Sequence, residues 1–160
     1  MPIEAIVINA SPLITLFRSG QADLLPQLFN RILVPEAVWQ EVVAERGDAA
    51  ALGLPAQSWP LREPVAVSPR VRDWNLGKGE TAVLSRALAQ PPLRAVLDDM
   101  DARRCAQALG ILMFGTGGLL VLAKRRGLLA SVTDSLSRVR AAGLWLSDDI
   151  VALIKAQAGE

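Results

Sequence analysis

Five oxygen-bearing side chains, Asn9, Glu41, Glu80, Asp98 and Asp99, are placed to do polar chemistry. Asn9 follows the apolar run Ala5-Ile6-Val7-Ile8, and Asp98-Asp99 follow Ala95-Val96-Leu97, so both groups stand just beyond the ends of short buried strands. Glu80 precedes Val83, Leu84, Ala87 and Leu88, which puts its carboxylate in the middle of an apolar helical stripe. A glutamate in the first turn of a helix gains about 0.3–1 kcal/mol from the macrodipole, which accounts for the turn but not for the inward face. Glu41 borders the apolar side of its own helix beside Ala37 and Val38, and its periodicity fits a site residue or a solvated one equally well. Within Asp98-Asp99-Met100-Asp101 one aspartate suffices to cap a helix; the others repel one another unless a cation or a proton intervenes.

Composition narrows the chemistry. The 160 residues include no histidine and one cysteine, Cys105, which excludes histidine-based acid–base and nucleophilic mechanisms, histidine-containing zinc sites, thiolate clusters and internal disulfides. The remaining carboxylates, amides and hydroxyls suit hard cations such as Mg2+ or Mn2+. Lys plus Arg number 17 against 16 Asp plus Glu, so nucleic-acid binding has to come from a local patch and not from a bulk field. With 51% hydrophobic and 21% charged residues the chain reads as one compact domain, 1–160. Met1-Pro2-Ile3-Glu4 lacks the positive start of a signal peptide, and the apolar stretch 111–123 is short of the ~20 residues of a membrane helix and broken by glycines. A cytoplasmic protein is expected.

These groups need a scaffold that brings strand ends together. Strands are expected at 5–8, 31–34, 95–97 and 111–114, with a further short one at 65–67. Helices are expected at 13–20, 36–46, 80–89, 102–109 and 119–126; Ser11 would cap the first and Pro12 open it. The order calls for an α/β fold, a three-layer α/β/α sandwich around a mainly parallel sheet of four or five strands. Its core would span about 5–127, and helices at about 130–157 would form a C-terminal extension with Ser147 or Asp148 as a cap. In such sheets ligands sit beyond the carboxyl ends of the strands, where strand order reverses.

The segments Val7-Ile8-Asn9-Ala10-Ser11-Pro12-Leu13-Ile14, Pro35-Glu36-Ala37-Val38 with Glu41, Leu76-Gly77-Lys78-Gly79-Glu80, Leu97-Asp98-Asp99 with Ala102-Arg103, and Gly115-Thr116-Gly117-Gly118 resemble, in this order, the PIN-domain proteins. They are most similar to a prokaryotic PIN-like branch that opens on Ser-Pro-Leu-Ile. The resemblance implies an α/β/α fold, a Mg2+- or Mn2+-dependent ribonuclease acting on RNA, and often the toxin of a toxin–antitoxin pair. It also implies an antitoxin partner and a homo-oligomer. Carried over, the family's first acid falls on Asn9, the second on Glu41, the third on Glu80 and the fourth on Asp98 or Asp99. Metal ligation is thus assigned to Asn9, Glu41, Glu80 and Asp99, and catalysis to Glu41, Glu80, Asp98 and Asp99. Asn9 departs from the pattern: its amide oxygen can ligate a cation but carries no charge and is no base. The alternative is a catalytically silent module that binds RNA or a protein.

Three further residues are candidates for RNA contact. Ser11 would assist by its hydroxyl, although helix capping explains it more simply. Arg103 would reach a phosphate or neutralise the aspartates beside it. Thr116 lies in a glycine-rich turn whose N–H groups would hold a phosphate or make a plain tight turn; neither this turn nor Gly77-Lys78-Gly79 has Walker spacing. Lys124-Arg125-Arg126, with Arg138 and Arg140, reads first as solvated helix ends. Trp39, Trp59, Trp74 and Trp145 read first as packing aromatics, with base stacking as the alternative.

Overall fold

The structure, a computed structural model, describes residues 3–160, with side chains from residue 5 onward; Met1 and Pro2, on which the reading of the chain start partly rests, lie outside the described residues. Five strands form one parallel sheet: β1 (Ile3–Ile8), β2 (Phe29–Pro35), β3 (Pro60–Glu63), β4 (Arg94–Val96) and β5 (Met113–Phe114), in the order β3-β2-β1-β4-β5. The helices are α1 (Ala10–Arg18), α2 (Leu24–Leu28), α3 (Glu36–Ala44), α4 (Ala49–Gly53), α5 (Pro69–Arg72), α6 (Lys78–Ala89), α7 (Met100–Ala108), α8 (Thr116–Arg125), α9 (Val132–Ala141) and α10 (Asp148–Gln157). A 3-10 turn spans Leu54–Ala56. Consecutive residues Ile6, Val7 and Ile8 of β1 are all buried, as are Ile32, Leu33 and Val34 of β2, so both sheet faces are covered. This is the expected α/β/α sandwich.

The chain winds outward from β1 through β2 to β3, then returns to the other side of β1 for β4 and β5. The reversal therefore falls between β1 and β4, paired with Ile8 opposite Val96. The Asn9 N–H continues the ladder to the Val96 carbonyl at 3.0 Å, and the Leu97 N–H reaches the Phe114 carbonyl at 2.9 Å. Asn9 and Asp98 thus leave adjacent strands at the same end of the sheet.

Three local expectations are corrected. The strand expected at 65–67 is absent; the edge strand is β3, with Ile32 opposite Pro60, and Val67 is exposed. The edge of β2 is already filled by the polar segment Pro60–Glu63, which leaves Val65 and Val67 nothing to pair with. Helix α1 begins at Ala10, so its N-cap is Asn9 and not Ser11, which is an exposed residue of the first turn. The last strand is confined to Met113–Phe114 within the expected 111–114.

Candidate metal site and the adjoining turn

The first turn of α1 explains why Asn9 has a free side chain. An N-cap side chain accepts from the N–H two or three residues on, and Pro12, the third, has none, which removes one of the two donors. Asn9 makes no capping hydrogen bond; its Nδ2 donates to Glu80 Oε1 at 3.3 Å instead. A carboxylate only accepts, so the amide nitrogen faces Glu80 and the carbonyl oxygen is turned away. Asn9 Oδ1 is buried without a hydrogen-bond partner, a position that costs about 1–3 kcal/mol unless something donates to it or coordinates it.

Gly79 marks where that oxygen points. A Cβ built on it would lie 2.9 Å from Asn9 Oδ1 and 3.0 Å from Glu41 Oε2. The missing side chain leaves room between an amide oxygen on β1's end and a carboxylate on α3. Glu80, the next residue of α6, supplies the second carboxylate, and Glu41, Gly77, Lys78, Gly79 and Glu80 line a cleft of about 430 Å3. Burial of the Glu41 carboxyl, together with the negative charge of Glu80, holds Glu41 above the ordinary carboxylate range. The two acids are close enough to repel, which favours a cation between them.

Asp98 and Asp99 have other partners. Asp98 accepts from the Thr116 N–H at 2.8 Å and from Thr116 Oγ1–H at 2.6 Å, so both its oxygens hold the start of α8. Asp99 caps α7, accepting from the Ala102 N–H at 2.9 Å. Among the described residues no three acidic or cysteine side chains gather closely enough to hold one metal ion. By hydrogen bonding the expected carboxylates divide: Glu41 and Glu80 lie with Asn9, Asp98 holds the start of α8 through both oxygens, and Asp99 caps α7 through one.

The remaining candidates fall around this division. Ser11 and Glu41 line a second cleft with Arg18 and Glu45. Thr116 is fully buried, its hydroxyl turned to Asp98. Arg103 Nη1 would lie 2.5 Å from a Cβ on Gly115, so this glycine lets the guanidinium cross the turn between β5 and α8. Gly117 is equally constrained, since a Cβ there would collide with Ile154 of α10. Sequence reasoning missed Gly79. The sequence places Gly79 in the lead-in to a helix starting at residue 80, whereas α6 begins at Lys78, so no local pattern marked this glycine.

The donor set fits a hard divalent cation. Mg2+ is commonly held by one or two carboxylates with water and phosphate oxygens completing six ligands, and Asn9 Oδ1, Glu41 and Glu80 provide two carboxylates and a carbonyl-type oxygen. The unpartnered Asn9 Oδ1 and the Gly79 gap are the observations that support the fit.

The parallel five-stranded sheet, covered on both faces and with an oxygen-lined cleft, defines an α/β/α protein. The PIN-domain family model matches residues 5–160, and the chain belongs to that family. The match runs through α9 and α10. The comparison with curated proteins finds no match.

Proposed function

We propose that the protein is a Mg2+- or Mn2+-dependent ribonuclease of PIN type that cleaves RNA phosphodiesters from the Asn9, Glu41 and Glu80 cleft. The unpartnered buried Asn9 Oδ1, set beside Glu41 across Gly79, carries this reading. Asn9, Glu41 and Glu80 would hold the ion, which when bound supplies an acidified water and positive charge opposite the phosphoryl oxygens. Lys78 on the cleft wall is placed to meet a substrate phosphate. Asp98 acts at a distance, fixing the start of α8, and Asp99 does the same for α7.

The test is cleavage of single-stranded RNA by purified protein with Mg2+ or Mn2+. Glu41→Gln and Glu80→Gln should each lower the rate at least a hundredfold, the lower range for a lost acid–base group. Activity that survives both substitutions together removes the site. In cells the reading extends to the toxin of a pair with a small antitoxin, as a cytoplasmic homo-oligomer. No helix among the described residues is long and apolar enough to cross a membrane.

A second reading is favoured by the amide itself. Asn9 brings no charge, and its Nδ2 already donates to Glu80, so the chain supports a silent RNA- or protein-binding module as well. That reading expects no cleavage with either cation and recovery in Asn9→Asp.

A further inference from the structure

Asp98 lines a cavity of about 490 Å3 that the proposed cleavage chemistry does not use. Its walls come from Phe114 of β5, Trp145 and Leu146 before α10, and Ile150, Leu153 and Ile154 of α10. Its mouth carries Asp98, Met100 and Arg103. Three features are unusual together. Trp145 is 83% exposed and Met100 61% exposed, so large apolar groups stand at the rim without protein cover. Arg103 forms no ion pair among the described residues, its neighbour Arg104 being the one that pairs with Asp101. Asp98, shared with the cavity, accepts from Thr116 with both oxygens and among the described residues makes no hydrogen bond to that guanidinium.

We propose that this cavity is a guanine-binding subsite for an RNA strand whose scissile phosphate lies in the neighbouring cleft. The inference rests on the RNA-directed reading above and adds a base preference to it. The volume falls within the roughly 300–1,000 Å3 of small-ligand pockets, which suits a nucleotide base. Single-stranded nucleic acid is held by exposed aromatic platforms joined to cations, and Trp145 with Arg103 provides that pair within one cavity. Arginine only donates, so it selects a base edge with two acceptors; guanine O6 and N7 match its fork, whereas the same edge of adenine offers one acceptor and one donor. Gly115 and Gly117 make the pocket possible, the first by admitting the Arg103 guanidinium and the second by letting Ile154 close the apolar wall.

The experiment is fluorescence-anisotropy titration of the full chain with labelled hexaribonucleotides in EDTA, one all-adenine and one with a single central guanine. Without divalent metal no strand is cut, so the measurement stands apart from catalysis. The guanine strand should bind about tenfold more tightly. Trp145→Ala should weaken it about tenfold, the scale of one lost base stack, and Arg103→Lys should abolish the guanine preference while keeping the charge. Circular dichroism on each variant confirms folding, which substitution of so exposed a tryptophan leaves intact. Equal affinity of unaltered and Trp145→Ala protein overturns the subsite, as does a guanine preference that survives Arg103→Lys. A dimer that Trp145→Ala dissociates, with no effect on oligonucleotide binding, also overturns it and assigns the cavity to a second copy. Absence of cleavage in the presence of Mn2+ together with guanine-selective binding would sink the nuclease reading alone.

Discussion

Replacing a carboxylate by an amide at the end of β1 changes both charge and hydrogen bonding, and Asn9→Asp reverses both. The new carboxylate would sit in a position 2% exposed, lose the donor to Glu80 and face Glu41 across Gly79. Without divalent metal the variant should lose on the order of 2 kcal/mol, since like charges are brought together with little water. Mn2+ should raise its Tm by more than it raises that of the unaltered protein, because the charged ligand tightens binding and a ligand at a hundred times its Kd adds about 2.7 kcal/mol. Thermal melts with and without the ion check both signs. Gly79→Ala is the complementary probe: its methyl enters the gap between Asn9 Oδ1 and Glu41 Oε2 and should cost about 1–3 kcal/mol while abolishing Mn2+ binding measured by calorimetry. Of these residues Glu80 was the most legible, because an acid inside an apolar stripe contradicts its own periodicity. Gly79 was not, since a glycine shows what it lacks only when its neighbours are in place.

At the scale of elements, the apolar strands were readable and the polar one was not. The segments β1, β2 and β4 are short runs of buried aliphatics, and their order with the intervening helices gave the sheet its parallel character. The edge strand β3 is Pro-Leu-Arg-Glu, with no apolar alternation to detect. It is held from the side: Arg62 donates to both oxygens of Glu36 at 2.7 Å each and lies 4.8 Å over the Trp39 ring, and Arg86 of α6 donates to Glu63 at 2.6 Å. Two arginine–glutamate pairs thus take the place of a second apolar face. The hydrogen bonds from Arg62 and Gln40 hold the Glu36 carboxyl down at about 2 against an ordinary 4.5. A depressed carboxylate stabilises above its unfolded pKa and loses that contribution as pH falls toward the folded one. Glu36→Gln should therefore lower the Tm at pH 6 and close the gap to the unaltered protein between pH 4.5 and about 2, as melts across that window will show. The glycine-rich turn was read as a phosphate cradle or a plain bend. Its glycines instead admit Arg103 and Ile154, and its threonine binds Asp98, contacts between segments that no local pattern encodes.

The whole molecule depends on how its last two helices are tied back to the sheet. Helix α8 leaves the site turn and is packed by α9 and α10, so the base cavity and the Asp98 anchor share one wall. The tie is Glu160, whose carboxylate accepts from the Val132 N–H at 2.6 Å, the Thr133 N–H at 3.0 Å and the Thr133 hydroxyl at 2.7 Å, with Lys124 of α8 at 3.2 Å. It joins the start of α9 to the end of α8, and Arg125 adds a bond to the Gln157 carbonyl at 3.0 Å. These donors, the Val132 N–H foremost, hold the Glu160 carboxyl well below the ordinary range. The sign matches that of Glu36: the contribution is complete above the unfolded value near 4.5 and fades as pH falls beneath it. Glu160→Gln keeps the shape and removes the charge, so it should lower the Tm at pH 7 by a margin that shrinks steadily below pH 4.5. Because α10 forms the cavity wall, the same variant should weaken guanine-strand binding at pH 7 while leaving Mn2+ affinity at Asn9, Glu41 and Glu80 unchanged. A parallel loss of metal affinity would mean that the cavity and the cleft are coupled through the sheet and not through α8.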